Sequence, residues 1–255
     1  YLETGDYLYL PPMKEMNSFW RLKEPYIPEE IIEKFSRPGN TVMDIGANIG
    51  DWTLRMANTV GSEGRVFSFE PIPLINESLN KTLRINNLSQ VTLCQLALGN
   101  QSGDLEFTIP IDSNDRAIHG ESRLGTEEGN WNIYTKVKST KTIKVKTSTL
   151  DQFASEQSID KLDFVKIDVE GKEVDILEGG KKIFSHFTPA LILEVGCEED
   201  DDRKRIAELL RSWGYGIVGI VVAHGIVEVS WEQHAKLDKP FIKKYPSNVL
   251  FLRDK

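Results

Sequence analysis

Val42-Met43-Asp44-Ile45-Gly46-Ala47-Asn48-Ile49-Gly50 reads as a short apolar strand that runs into a Gly-x-x-x-Gly turn and on into an amphipathic helix at 49–60. Gly46 and Gly50 carry no Cβ, so a ligand can approach the backbone closely at such a turn. Downstream, Glu70 stands at the end of the next apolar run, 65–69, and Pro71 stops that strand. A carboxylate there can accept hydrogen bonds from ribose hydroxyls. Strand, turn, helix, strand and acid in this order describe a cradle for a nucleoside or nucleotide.

Working outward, β-branched or aromatic runs recur at 41–45, 65–69, 91–98, 162–167, 190–195, 216–222 and 248–252. Helical patterns lie between most of them. Ile75, Leu79 and Leu83 form one apolar stripe behind Pro71 and Pro73; Ile206, Leu209, Leu210 and Trp213 form another, with Gly214 just past its end. Residues 28–35 and 171–182 read similarly. The acidic run 198–202 falls in the first turn of the Ile206 helix, where it complements the helix N-terminus rather than building a metal site. Strands alternating with helices imply right-handed crossovers, and hence an α/β fold: a doubly wound, mostly parallel sheet with helices on both faces. Residues 103–150, and the strands joined through His224-Gly225, read instead as antiparallel additions. One domain is expected at 41–255, with a substrate-loop insertion at 103–150 and an N-terminal cap at 1–40.

Spacing separates the candidate cofactors. A dinucleotide fold favours Gly-x-Gly-x-x-Gly, which seats a pyrophosphate on the helix N-terminus, but here Ala47-Asn48-Ile49 separates the two glycines and Asp44 precedes them. A carboxylate repels phosphate and suits a cation. S-adenosylmethionine (SAM), with its positive sulfonium and α-amino groups, therefore fits better than NAD. The blander alternative is a tight strand-to-helix turn with a capping Asp. An NAD(P)-binding Rossmann oxidoreductase and a non-catalytic SAM-binding domain are the competing functional readings.

Asp44-Ile45-Gly46-Ala47-Asn48-Ile49-Gly50, Phe69-Glu70-Pro71, Ala97-Leu98-Gly99 and Lys166-Ile167-Asp168-Val169-Glu170-Gly171 with Glu173 together resemble the motif series of the FkbM family of SAM-dependent methyltransferases, over residues 41–252. The first two motifs are shared by many class I methyltransferases; the Asp-Val-Glu-Gly-x-Glu segment is the more specific one. The resemblance implies a Rossmann-like, seven-stranded sheet with an antiparallel last strand. It also implies methyl transfer to a hydroxyl, often on a sugar or a polyketide-type natural product. By the same resemblance Asp44, Gly46, Asn48 and Gly50, with Ala47 among them, line the methionine portion, and Glu70, with Pro71 beside it, holds the ribose. Ala97 would pack near the adenine. The wider class often sets an Asp against the adenine amino group, whereas this chain reads Cys94-Gln95-Leu96-Ala97, which leaves the contact to Gln95 or a backbone group.

Methyl transfer is an in-line displacement at carbon, so the protein must align acceptor oxygen, methyl and sulfur and relieve the acceptor of its proton. Asp168 ends the fourth strand, beside the switch point where open α/β sheets bind ligands, and can take that proton or position the hydroxyl. Its alternatives are to cap the following helix or to face the SAM amino group. Glu170 would orient the turn or the substrate, and Glu194, near the end of the fifth strand, reaches the same mouth. These three acids could hold a divalent ion if they converge, but they match no recognised metal spacing and no metal is expected. His224, after the sixth strand, is the preferred base because imidazole titrates near neutral pH, although His-Gly is also ordinary turn chemistry. His119 and Arg123 lie in 111–140, which reads as a long loop over the substrate. His186 and His234 read as structural or solvent-facing. Lys136, Lys138, Lys141, Lys144 and Lys146 have the spacing of lysines that shield an exposed edge strand.

Composition narrows the partners. With 39 acidic against 31 basic residues and a net charge of −8 over 255 residues, the chain projects no field toward a polyanion, so a hydroxylated small molecule is expected rather than nucleic acid. No apolar run is long enough for a membrane helix. Two cysteines, Cys94 and Cys197, form neither a disulfide scaffold nor a zinc motif, which fits a reducing, cytoplasmic setting.

Overall fold

The computed structural model describes residues 5–12, 29–118, 122–124, 137–195, 200–222, 225–235 and 247–254. In chain order its elements are α1 (Glu29–Phe35), β1 (Thr41–Ile45), α2 (Asp51–Val60), β2 (Arg65–Phe69), α3 (Pro73–Ile85), β3 (Val91–Cys94), β4 (Ala97–Leu98), β5 (Gly103–Asp112), β6 (Arg123–Leu124) and β7 (Val137–Ser148). There follow α4 (Leu150–Glu156), β8 (Phe164–Ile167), α5 (Glu173–Gly179), α6 (Lys181–Phe187), β9 (Ala190–Val195), α7 (Asp200–Ser212), β10 (Tyr215–Val222), β11 (Gly225–Glu228), α8 (Trp231–Ala235) and β12 (Ser247–Arg253).

The central strands β1 and β8 are buried at every position, which requires cover on both faces of the sheet. Their side chains alternate between two cores. Met43, Ile45, Val165, Ile167, Leu191 and Leu193 meet α4, α5, α6 and α7 on one face. Val42, Phe164, Ile192 and Leu250 meet α1, α2 and α3 on the other. The strand order is β11-β10-β12-β9-β8-β1-β2-β3. From β3 to β9 all pairings are parallel, while β12 runs antiparallel to both β9 and β10. The expected seven strands and antiparallel last strand are therefore present, and β11 adds an eighth at the edge, paired antiparallel to β10. Chain direction out of the sheet reverses between β1 and β8, so the switch point opens beyond their carboxyl ends.

Three elements differ from their sequence signals. The run 91–98 breaks after Cys94, because Ala97 and Leu98 leave the main sheet to pair with Thr147 and Ser148 of β7 in a second sheet of order β4-β7-β5-β6. The pattern at 171–182 divides into α5 and α6 at Gly179 and Gly180, where a Cβ on Gly179 would lie 2.0 Å from the Gly99 carbonyl oxygen. Of the supposed loop 111–140, β5 extends to Asp112 and β7 begins at Val137. Lys138, Lys141, Lys144 and Lys146 are exposed along β7, whose outer side is paired, among the described residues, only at its last two positions, the open edge that their spacing suggests. Lys136 lies outside the described residues. A small core of Ile49, Ile72 and Ile75 with Phe107, Ile109 and Val145 joins the second sheet to the loops after β1 and β2; Leu8 and Leu10 pack against it. None of the helices among the described residues is long and apolar enough to cross a membrane.

His234, in α8, is fully buried against Trp231 and Phe251, and neither ring nitrogen has a hydrogen-bond partner. Burial, with the charge of Arg203 nearby, pushes its pKa down from 6.5 to about 4. The unfolded chain therefore takes up this proton before the folded one, so the stability is complete above pH 6.5 and is lost as pH falls toward 4. The loss at pH 5 should be about 2 kcal/mol. Urea midpoints measured from pH 7.5 to 4.5 should show that decline, and His234→Phe, which keeps the ring packing, should flatten it; an unchanged slope in the variant would contradict the assignment.

Candidate active site

The turn after β1 is seated directly on the end of β8. Gly46 has φ +81°, and a Cβ there would lie 1.9 Å from the Asp168 backbone oxygen, so a side chain at 46 would separate the two segments. Gly46 N and Ala47 N both donate to the Phe69 carbonyl, at 3.1 and 2.9 Å, which docks the turn on the end of β2 as well. Gly50, at φ +101°, faces Leu79 of α3 at 2.3 Å from its absent Cβ. The two glycines are thus required by backbone and side-chain contacts inside the protein; Gly46 lines the opening, whereas Gly50 and Ala47, expected beside the methionine portion, are buried and do not line it.

That opening is a crevice beyond the carboxyl ends of β1, β2 and β8. It is lined by Gly46, Asn48, Glu70 and Pro71 from the loops after β1 and β2, by Asp168, Glu170 and Lys172 beyond β8, and by the apolar side chains of Leu96, Ala97, Leu98 and Phe107, with Ser122. Glu70 is 5% exposed. Its Oε1 accepts from Ile72 N at 2.8 Å and its Oε2 from Asn48 N at 3.0 Å. Burial nevertheless dominates and raises its pKa to about 7. Asn48 holds the left-handed conformation at φ +49°, and its Oδ1 is buried without a hydrogen-bond partner.

Asp44 is placed otherwise than its motif suggested. It is fully buried and does not line the crevice. The alternation along β1 turns position 44 toward α2, where Thr53 Oγ1 donates to its Oδ2 at 2.6 Å and lies 2.9 Å from Ser68 Oγ. The partner on its other side is Lys166 of β8, directly opposite in register, with Nζ 3.6 Å from Asp44 Oδ1. Lys166 Nζ also reaches Asp168 Oδ2 at 3.2 Å and donates to the Gly46 carbonyl at 3.1 Å. Burial works against the Lys166 charge, but the carboxylates of Asp168 and Asp44, helped by Glu194, outweigh it and raise its pKa. One ammonium thus serves two carboxylates, and the fully buried Asp44 is the one whose pKa burial lifts.

Asp168, Glu170 and Glu194 converge as their strand positions suggested, with carboxylate oxygens within 4.8 Å of one another. Such a trio can receive several hydroxyl donors or a divalent ion. Glu170 is held at φ +56° and Gly171 at +95°; Val169 N and Gly171 N each donate to Glu173 Oε1 at 3.3 Å, so the first turn of α5 fixes this loop. Gln95 is exposed and lies away from the crevice, because the chain turns after Cys94 to enter the second sheet; the residues facing the crevice there are Leu96 and Ala97. His119 and His224 lie outside the described residues, and Arg123 is placed as a backbone position of β6 opposite Thr108. Reading the sequence missed Lys166, Phe107 and Ser122. For Lys166 a signal existed: a lone charge within Phe164-Val165-Lys166-Ile167, a strand otherwise apolar on both faces.

The chain is similar in sequence to several methyltransferases. Methyltransferase 1 of Beauveria bassiana is 25% identical over 181 residues, covering 69% of this chain and 72% of that protein. Hexuronic acid methyltransferase AglP of Haloferax volcanii is 22% identical over 212 residues, covering 81% and 79%. The 2-O-methyltransferase NoeI of Sinorhizobium fredii is 24% identical over 159 residues, covering 61% and 63%. The crystal structure of Methyltransferase FkbM from Methylobacillus flagellatus KT has the same fold, with a TM-score of 0.52 at 16% identity, covering 88% of this chain; the chain spans 50% of that protein's length. The family model described as the Methyltransferase FkbM domain matches residues 44–217, from the acid of β1 into β10, and the chain therefore belongs to the FkbM methyltransferase family.

Proposed function

We propose that this methyltransferase uses SAM to methylate a hydroxyl on a small molecule, a sugar or a polyketide-type product. The observation that carries the reading is the crevice itself, which brings Glu70 and Asp168 together with the apolar side chains of Leu96, Ala97, Leu98 and Phe107. The names of NoeI and AglP, one a 2-O-methyltransferase and one acting on hexuronic acid, support an oxygen acceptor on a sugar. The acidic composition, which draws no polyanion, supports a small-molecule partner.

The residues present suit the cofactor. When bound, SAM supplies a methyl group on a positively charged sulfur. Each Glu70 oxygen accepts one backbone N–H and retains lone-pair capacity for a ribose hydroxyl. Asn48 Oδ1, which has no partner, would accept from a donor of the cofactor, and Leu96, Ala97 and Phe107 would pack against its base. Asp44 does not touch the cofactor; the negative charge that favours a cation comes from Asp168 and Glu170, at the crevice wall, and from Glu194 beside them. Asp168, with its side chain 26% exposed, orients the acceptor hydroxyl, and Asp168 or His224 takes its proton as the new bond forms.

Glu70 sets the pH dependence of cofactor binding. Below pH 7 its carboxyl carries a proton in the free protein; above it the ionised form makes the stronger, charge-assisted bonds to ribose. Isothermal titration with S-adenosylhomocysteine should show affinity rising about tenfold between pH 6 and pH 8, and Glu70→Gln should abolish that rise. A pH-independent affinity in the wild type, or binding of NAD in place of SAM, would contradict the assignment.

A screen of sugars and hydroxylated metabolites with methyl-labelled SAM identifies the acceptor. With the best acceptor, Asp168→Asn and His224→Ala should each slow turnover by about 100-fold while S-adenosylhomocysteine affinity stays within about threefold. Binding without turnover of any acceptor would favour a cofactor-binding domain without catalysis, and full activity in both variants would remove them from the chemistry.

A further inference from the structure

We infer that Lys166 is a positioning residue that ties the cofactor turn to the acid at the acceptor side, an inference that rests on the methyl-transfer reading above. Its ammonium is 3% exposed and has three N–H donors. Three oxygens from three segments surround it: the Gly46 carbonyl in the turn at 3.1 Å, Asp168 Oδ2 beyond β8 at 3.2 Å and Asp44 Oδ1 in β1 at 3.6 Å. The first two lie within hydrogen-bond distance, whereas Asp44 Oδ1 attracts the ammonium by charge and has no hydrogen-bond partner.

The cost of burying an ammonium makes the arrangement informative. An apolar residue of similar size in the centre of a parallel strand is often as stable as a buried ion pair or more so, so stability alone does not account for a lysine there. Apart from Asp44 opposite it on β1, its neighbours in the sheet are apolar: Ile192 stands opposite on β9, and Phe164 precedes it on the same face. What the lysine adds is a side-chain link between two segments whose backbones already meet, at Gly46 and at Asp168. It holds one oxygen of Asp168 from below, so the carboxylate presents a fixed edge to the crevice. It also holds the Gly46 carbonyl, whose peptide shapes the floor of the turn. Lys166 is not the base: an ammonium surrounded by Asp44, Asp168 and Glu194 has no lone pair to offer.

The test compares Lys166→Met with the double variant Asp44→Asn/Lys166→Met in the full chain, the latter leaving no uncompensated buried carboxylate at position 44 should the single variant fail to fold. Thermal melting reports folding, titration with S-adenosylhomocysteine reports the turn, and labelled methyl transfer to the screened acceptor that wild type methylates fastest reports alignment. The double variant should fold and bind S-adenosylhomocysteine within about fivefold of Asp44→Asn, yet its kcat should fall about 100-fold with acceptor KM within about threefold. Adding Asp168→Asn should slow it little further, because the lysine acts through that acid. A kcat within about twofold of Asp44→Asn, or a loss that simply multiplies with that of Asp168→Asn, would overturn the inference. Wild-type enzyme is the control that separates the two ideas: if it neither binds S-adenosylhomocysteine nor transfers methyl, the functional reading fails and this inference with it, whereas an active wild type with an equally active double variant defeats this inference alone.

Discussion

The backbone of the turn after β1 rests on the backbone oxygen of Asp168, a contact that tolerates no side chain at position 46. Everything at the site follows from that approach. It brings the floor of the crevice, the acid beyond β8 and, through Phe69, the end of β2 into one rigid corner at the switch point of the sheet. Glu70 stands at that corner because β2 ends there, and Asn48 because the turn must pass over Glu70 to start α2.

The second consequence concerns charge. On one face of the sheet β1 and β8 are apolar at Val42 and Phe164 and turn polar two residues on, where Asp44 and Lys166 lie in register with Ser68 on one side and with the apolar Ile192 and Leu250 on the other. Below the crevice Thr53 bonds both Asp44 and Ser68, and Lys166 faces Asp44 at 3.6 Å, leaving Asp44 Oδ1 without a hydrogen bond. The field at the opening is made by a second row of acids, Asp168, Glu170 and Glu194, with Lys166 beneath and Lys172 at the wall. A positively charged ligand is therefore favoured by residues beyond the strand ends rather than by the acid of the first motif.

The architecture was legible because its signals are periodic. The stripes of Ile75, Leu79 and Leu83, and of Ile206, Leu209 and Leu210, could be nothing but helices packed on a sheet, and both are. Glu70 and Asp168 were legible because a doubly wound sheet delivers the ends of its strands to one edge. Asp44 was misjudged because a motif gives a residue's identity without the direction of its side chain, and the direction depends on which helix covers that face. The departure of Ala97 and Leu98 into a second sheet, which takes Gln95 away from the site, depends on pairing with Thr147 and Ser148 far along the chain. Lys166 had a signal, a charge in a buried strand, but its meaning appears only when three oxygens from distant segments are seen around it.

The most direct test of the account is a crystal structure of the protein with S-adenosylhomocysteine. It should place the ribose hydroxyls on Glu70, the homocysteine over Gly46 and toward Asp168, and the base against Leu96, Ala97 and Phe107. Density for the ligand elsewhere, with the corner between Gly46 and Asp168 closed to it, would contradict the central claim that this backbone contact builds the cofactor site.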